Sequence, residues 1–168
     1  MRFPSHYPLP IRFILPLLAL SLSSLWAAPL EKIQNWPQAA GPSGNWAAES
    51  ADAPLNWSVI RNENILWKTT LPEVGQGGIA VWGDHLFITT LKPEEDKKPS
   101  GREVVGYCLD ARDGKILWTA ELPGNASSVP GYFFSDATSP SPITDGEYVW
   151  FFNACGSIGC YKLNGERV

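Results

Sequence analysis

The feature that most constrains this sequence is that it repeats itself. Ile65-Leu-Trp-Lys-Thr-Thr-Leu-Pro72 returns 51 residues later as Ile116-Leu-Trp-Thr-Ala-Glu-Leu-Pro123, with five of the eight positions identical. Cys108–Leu117 returns 52 residues on as Cys160–Val168, with one residue deleted before the glycine. Val81–Ile88 aligns with Ile143–Trp150 at an offset of 62, a Gly/Asp turn running into an apolar strand each time. The two offsets differ by ten residues, which the polar segment Leu91–Gly101 accounts for, since nothing matches it after Trp150. A period of about 50 residues made of several short strands is the mark of a β-propeller blade. The predicted fold class is therefore all-β: a partial propeller of about two four-stranded antiparallel blades.

Within each copy the turn chemistry supports strands. Asp113-Gly114 is a hairpin pair, because glycine accepts positive φ and the aspartate side chain bonds the turn backbone. Ile116, Leu117 and Trp118 then supply the β-branched and aromatic residues that a pleated, half-buried surface favours. Strands are expected at 64–72, at 79–90 with 104–123, and at 138–142, 147–154 and 159–164. Pro140 and Pro142 lack N–H donors, so the first strand of the second blade should lie at an edge. No helix longer than a turn or two is expected after residue 28.

Residues 108–118 resemble the tryptophan-docking motif of pyrroloquinoline-quinone-like propeller repeats, Ala-x-Asp-x-x-Thr-Gly-x-x-x-Trp. Asp110, Gly114 and Trp118 match, while Cys108 replaces the alanine and Asp113 the threonine. In the second copy Gly165 matches and Lys162 stands at the aspartate position. Asn35-Trp-Pro-Gln and Gly41-Pro-Ser-Gly44 resemble the opening of secreted members of the group, with Ala39 and Ala40 departing from it. The resemblance covers roughly residues 35–168. It implies a blade-docking set of Trp67, Asp110, Gly114, Trp118 and Gly165, in which Trp67 and Trp118 play equivalent packing parts in successive blades. It also implies, as one alternative, the N-terminal part of a quinoprotein alcohol or sugar dehydrogenase. Those enzymes hold their quinone on a tryptophan floor in the channel, with a cation and an acidic base from several blades. Neither the adjacent-cysteine pair of some of them nor a haem-attachment Cys-x-x-Cys-His occurs in this sequence.

Residues 1–28 read as an export signal. Arg2, His6 and Arg12 form a basic start, Phe13–Leu20 an apolar stretch, and Ala27 and Ala28 a small-residue cleavage site. Pro16 and the serines make the run a poor membrane span. An uncleaved anchor is the lesser alternative, because Leu25 or Trp26 would sit where cleavage prefers a small residue. With no cysteine near the cut, a lipid anchor is not expected, and the address is periplasmic or extracellular. Removing residues 1–28 takes two basic residues and no acidic ones, turning the net charge of −4 into −6. That argues against nucleic acid or an anionic membrane surface as the main partner.

The remaining length of about 140 residues gives a little over two blades, against about four to eight in a closed ring. The expectation is an N-terminal fragment whose reading frame continues past Val168, one residue short of the second copy's tryptophan position. Residues 29–63 are an irregular lead-in whose tryptophans at 36, 46 and 57 pack onto a neighbouring surface or, alternatively, bind sugar. Residues 64–168 hold the repeats. The odd cysteine count of three allows two buried free thiols at the equivalent positions Cys108 and Cys160, or a bridge between Cys155 and Cys160 across Gly156–Gly159. A metal site is not expected: there is no Cys-x-x-Cys, and His85 is the only histidine after residue 28.

No catalytic constellation emerges. Asp84 and His85 are adjacent in a strand and point to opposite faces. Gly75-Gln-Gly-Gly78 lacks the following helix and Lys-Ser/Thr of a phosphate loop, and resembles a close approach of backbones near a propeller axis. Glu94-Glu-Asp and Lys97-Lys read as a solvated hairpin tip, and Tyr132-Phe133-Phe134 as the inner start of the second blade. The favoured function is an exported non-catalytic module binding an unknown protein or glycan partner through the rim or channel surfaces of its ring. No quinone is expected to bind this chain by itself.

Overall fold

The computed structural model describes residues 35–48, 53–93, 102–125 and 135–168. The expected signal peptide, the hairpin tip of Glu94 to Lys98 and Tyr132–Phe134 lie outside the described residues. The described chain is all-β, and no helix occurs among the described residues. β1 (Ala80–Trp82), β2 (His85–Leu91), β3 (Val104–Asp110) and β4 (Ile116–Leu122) form one antiparallel meander in sequence order. β5 (Ile143–Thr144), β6 (Tyr148–Asn153) and β7 (Ser157–Lys162) form a second.

The two meanders stack face to face, and the core lies between them. Phe87, Cys108, Ala120 and Leu122 of the first sheet meet Val149, Phe151 and Tyr161 of the second, all buried. Phe151 is the hub, with ring centroids 6.2 Å from Phe87, 5.9 Å from Trp118 and 6.1 Å from Tyr161 in edge-on geometry. Gly106 in mid-β3 makes room for it, since a Cβ there would lie 2.8 Å from the Phe151 ring. The opposite face of the first sheet buries Val105, Tyr107 and Leu109 under Leu71.

Three expectations about strands are corrected. Side chains alternate between half-buried and exposed from Ile65 to Leu71, yet residues 64–72 join no ladder among the described residues, and Asn64 sits in a turn with φ 52°. The second sheet has three strands rather than four. Thr138–Pro142 makes no ladder pairs, because Pro140 and Pro142 have no N–H to give and the Thr138 N–H is taken by Asp136 Oδ1 at 2.7 Å. The third correction concerns alignment. Ala80 pairs with Phe87 and Ile143 with Trp150, so Gly83 corresponds to Gly146 and the true offset of this hairpin is 63.

The cysteines divide differently from either alternative. All three are free, so there is no Cys155–Cys160 bridge. Cys155 is fully buried beside the β6–β7 turn, whereas Cys160 pairs with Trp150 along the ladder and is only half-buried. Cys108 is the buried core site expected of it, and burial pushes its thiol up to about 12. Of the lead-in tryptophans only Trp36 is packed, with Trp46 73% and Trp57 65% exposed.

The Gly75–Gly78 run ties the C-terminal end of β2 to the segment before β5 through a close approach of backbones. A Cβ on Gly75 would lie 2.2 Å from the Thr89 carbonyl oxygen, and one on Gly77 2.5 Å from that of Thr138. The Gln76 and Gly78 amides donate to Thr138 Oγ1 and Ser141 Oγ, each at 2.8 Å. At the same strand ends a second tie is made by Asn153. Its amide nitrogen donates to the carbonyls of Arg102 at 2.7 Å and Leu122 at 2.9 Å, while its oxygen accepts from Cys155 N–H at 2.8 Å.

Candidate functional site

The residues singled out by the motif gather at two tryptophan seats. Trp118, in β4, reaches across to the turn after β7, where its indole N–H donates to the Leu163 carbonyl at 2.9 Å. Gly165 lies under the ring: its φ is 90° and a Cβ there would stand 2.8 Å from Trp118. Trp67 repeats this arrangement on the turn between β3 and β4. Its indole N–H donates to the Ala111 carbonyl at 2.8 Å, and a Cβ on Gly114, whose φ is 75°, would stand 2.4 Å from its ring. Thr69 adds a hydroxyl bond of 2.6 Å to the Gly114 carbonyl. Both glycines meet two demands at once, a left-handed backbone and a flat seat for an indole.

Asp110 holds the first seat's turn closed. Its carboxylate accepts from the Arg112 amide at 2.9 Å and from the guanidinium at 2.9 and 2.5 Å. Arg112 also reaches Asp84 at 3.5 Å. These bonds from Arg112 hold the Asp110 carboxyl well below the usual carboxylate range. The second seat inverts the charges: Lys162, at the aspartate position, pairs with Glu166 at 2.9 Å, which raises the lysine. The Asx turn is kept in both, with Asp113 Oδ1 accepting from Lys115 N–H and Asn164 Oδ1 from Glu166 N–H.

The sign of the Asp110 contribution follows. A carboxyl whose folded value lies below the ordinary 3.8 stabilises the fold fully above about pH 4, and that stabilisation is lost as the pH falls below it. Asp145 is depressed by the Tyr148 and Glu147 amides and acts with the same sign. Asp110→Asn should therefore flatten, without abolishing, the decline of the urea midpoint between pH 5 and pH 2. Parallel pH profiles for the two chains would contradict this.

The sequence missed two further seats. Trp82 lies over Gly146, where a Cβ would stand 2.3 Å from its ring, and Trp36 over Gly41 at 2.8 Å. Gly146 follows the turn residue Asp145 and Gly41 follows Ala40, and neither tryptophan sits at the motif spacing. Asp84 and His85 are not joined: Asp84 faces Arg112, while His85 stacks on Phe87 with centroids 6.2 Å apart. Among the described residues no three His, Cys, Asp or Glu side chains come together in a group that could hold a metal ion. One surface depression is lined by Lys92, Glu103, Glu121, Leu122 and Pro123, where Lys92 bonds both glutamates.

Each of the motif's two rings, Trp67 and Trp118, has a face closed against its glycine turn.

The geometry defines a class: consecutive antiparallel sheets stacked face to face, each pinned to the next by a tryptophan seated on a glycine turn. Within that class the chain shows distant, partial similarity to BamB, a propeller protein of pyrroloquinoline-quinone-like repeats. It is 29% identical over 84 residues to the outer membrane protein assembly factor BamB of Escherichia coli K12, covering 50% of this chain and 19% of that protein. It is 31% identical over 77 residues to the tetrathionate hydrolase of Acidithiobacillus ferrooxidans, covering 42% of this chain and 15% of the relative. The crystal structure of BamB from Moraxella catarrhalis aligns with a TM-score of 0.40 and 23% identity, over 61% of this chain and 26% of that one. The chain thus spans about a fifth or less of the curated relatives it matches. No family model matches the sequence.

Proposed function

We propose that this chain is part of an exported β-propeller that works by binding rather than by catalysis, offering rim or channel surfaces of its ring to a protein or glycan partner. The observation that carries this reading is how the motif's polar groups are used. The indole N–H groups of Trp67 and Trp118 and the carboxylate of Asp110 are all engaged in holding turns and joining sheets. None is left facing a cleft for chemistry. The similarity to an outer membrane protein assembly factor supports a protein partner in the cell envelope. The basic, apolar and small-residue pattern of residues 1–28 supports export.

A catalytic ring acting on a small sulfur compound is the second reading, favoured by the 31% identity to a tetrathionate hydrolase. Two experiments separate them. Epitope-tagged chain crosslinked in intact cells should form discrete adducts with an envelope protein, or the purified chain should retain a defined glycan on an array. Titration with pyrroloquinoline quinone and calcium should give no saturable absorbance change and no dye-linked alcohol oxidation, and tetrathionate should be returned intact. Saturable quinone binding with turnover, or tetrathionate hydrolysis, would place the protein among enzymes.

A further inference from the structure

The turn that seats Trp118 contains the one asparagine in this sequence that is followed by glycine, Asn164-Gly165. That pair has a chemistry of its own. The backbone nitrogen after an asparagine can attack the side-chain carboxamide and close a five-membered ring, and glycine offers no Cβ to obstruct the approach. The structure adds two particulars. Asn164 is exposed, so ammonia can leave and water can enter. Its Oδ1 accepts from the Glu166 N–H at 3.0 Å, which places a donor on the oxygen that gains charge as the carbonyl carbon is attacked. One bond opposes the reaction. The Gly165 N–H donates to the Lys162 carbonyl at 2.9 Å, so the turn must yield before that nitrogen reaches Asn164. The repeat supplies the rest of the argument. Before the glycine that seats Trp67 the chain already carries an aspartate, Asp113, whose Oδ1 accepts from Lys115 N–H at 2.9 Å as Asn164 Oδ1 accepts from Glu166.

We propose that Asn164 is a site of spontaneous deamidation, and that its two products have opposite consequences for the Trp118 seat. The Gly165 nitrogen bonds to Asn164 Cγ, the Cγ–Nδ2 bond breaks, and the departing nitrogen takes the Gly165 amide proton and leaves as ammonia. The cyclic imide then takes up one water. Opening at Cγ gives aspartate, which keeps the main chain as it was and keeps an oxygen for the Glu166 N–H. The second seat then carries the same Asp-Gly pair as the first. Opening at the backbone carbonyl gives isoaspartate, whose main chain runs through Cβ and is one methylene longer before Gly165. That extra atom falls inside the loop closed by the bonds from Gly165 N–H to Lys162 and from Lys162 N–H to Glu166. It displaces Gly165, whose φ is 90° and whose missing Cβ would stand 2.8 Å from Trp118. Seat and reaction restrain each other: a docked Trp118 slows ring closure, and isoaspartate, once formed, loosens the dock.

The test uses the full chain, kept folded at neutral and at mildly alkaline pH in heavy-oxygen water and digested at intervals for mass spectrometry. Asn164 should lose its amide before any other asparagine, faster at the higher pH, with one heavy oxygen taken up. Part of the product should be methylated at residue 164 by an isoaspartate methyltransferase. After separation by ion exchange, the isoaspartate form should unfold at a lower urea midpoint than the wild type. The aspartate form and an Asn164→Asp chain should unfold with the wild type, and methyltransferase repair should restore the midpoint of the isoaspartate form. Trp118→Phe, which gives up the bond to Leu163, should speed the loss of the amide, and Asn164→Gln should resist it. Another asparagine reacting ahead of Asn164 in the folded chain would overturn the proposal. So would an isoaspartate form that unfolds at the wild-type midpoint, or an Asn164→Asp chain that unfolds as early as the isoaspartate form.

Discussion

Trp118→Ala is expected to destabilise the chain by about 3–5 kcal/mol, the usual cost of deleting a large aromatic from a packed site. The ring does three things at once. It touches Phe87, Phe151 and Tyr161, with centroids 6.2, 5.9 and 5.8 Å away, so its loss opens the core between the sheets. Its N–H caps the Leu163 carbonyl, and its flat face lies against Gly165. Trp118→Phe separates these contributions. It keeps much of the ring contact and gives up the bond to Leu163, a net loss of about 1 kcal/mol from the hydrogen bond. Trp67→Ala should cost less, because its segment rests on one turn and has no ladder, and its signature should be protease sensitivity between residues 64 and 72. Urea unfolding followed by circular dichroism checks the series. A Trp118→Ala chain that unfolds at the wild-type midpoint would remove the docking role from this residue.

The seats were legible because two independent demands meet at each of them. An indole needs a neighbour without a side chain, and the turn needs a residue at positive φ, so glycine and tryptophan recur at fixed spacing. The repeat of Ile65–Pro72 in Ile116–Pro123 carries that spacing, and Asp113 and Asn164 carry the turn. The hairpin alignment, by contrast, slipped by one residue. Strands of one-faced sheets alternate polar and apolar residues, and a slip there would bury charge. β2 and β6 are covered or half-covered on both faces, with Leu86 and Phe87, or Val149 and Trp150, adjacent and apolar. A shift by one therefore left the apolar pattern intact, and only the matching glycines, Gly83 and Gly146, mark the true register.

The same double coverage explains the cysteines. Cys108 and Cys160 do occupy equivalent places, but the face bearing Cys108 is covered by the second sheet, while that bearing Cys160 has no covering sheet among the described residues. Position in the repeat set which face each thiol takes. Which faces are covered depends on neighbours that a single copy's sequence does not encode. The missing fourth strand of the second sheet has a similar origin. Thr138–Pro142 has strand-like composition and the right place in the order, but two prolines and the bonds of the Thr138 and Ser139 amides to Asp136 leave only the Ser141 N–H to donate.

Asn153→Ala is expected to cost about 3–5 kcal/mol, from the loss of three hydrogen bonds, two of them buried, at about 1–3 kcal/mol for each buried bond. Nothing in the sequence marks this residue, because its partners lie 51 and 31 positions away. It is 4% exposed at the end of β6, and it binds both the segment entering β3 and the end of β4. Neighbouring bonds complete the tie: Ser157 Oγ donates to the Pro123 carbonyl at 2.7 Å and Asn125 N–H to the Cys155 carbonyl at 2.9 Å. Asn153→Asp distinguishes hydrogen bonding from packing, since the two side chains have nearly the same shape. Aspartate can still accept from Cys155 N–H, but at neutral pH it presents an acceptor oxygen, where the donor stood, to the carbonyls of Arg102 and Leu122. It should therefore be at least as damaging as alanine at pH 7 and should recover part of the loss on acidification, when its protonated form regains a donor. That acid rescue runs opposite to the acid weakening expected from Asp110, so the two are separable in one pH series. If Asn153→Asp matched the wild-type urea midpoint at pH 7, the two carbonyl bonds would contribute nothing to joining the sheets.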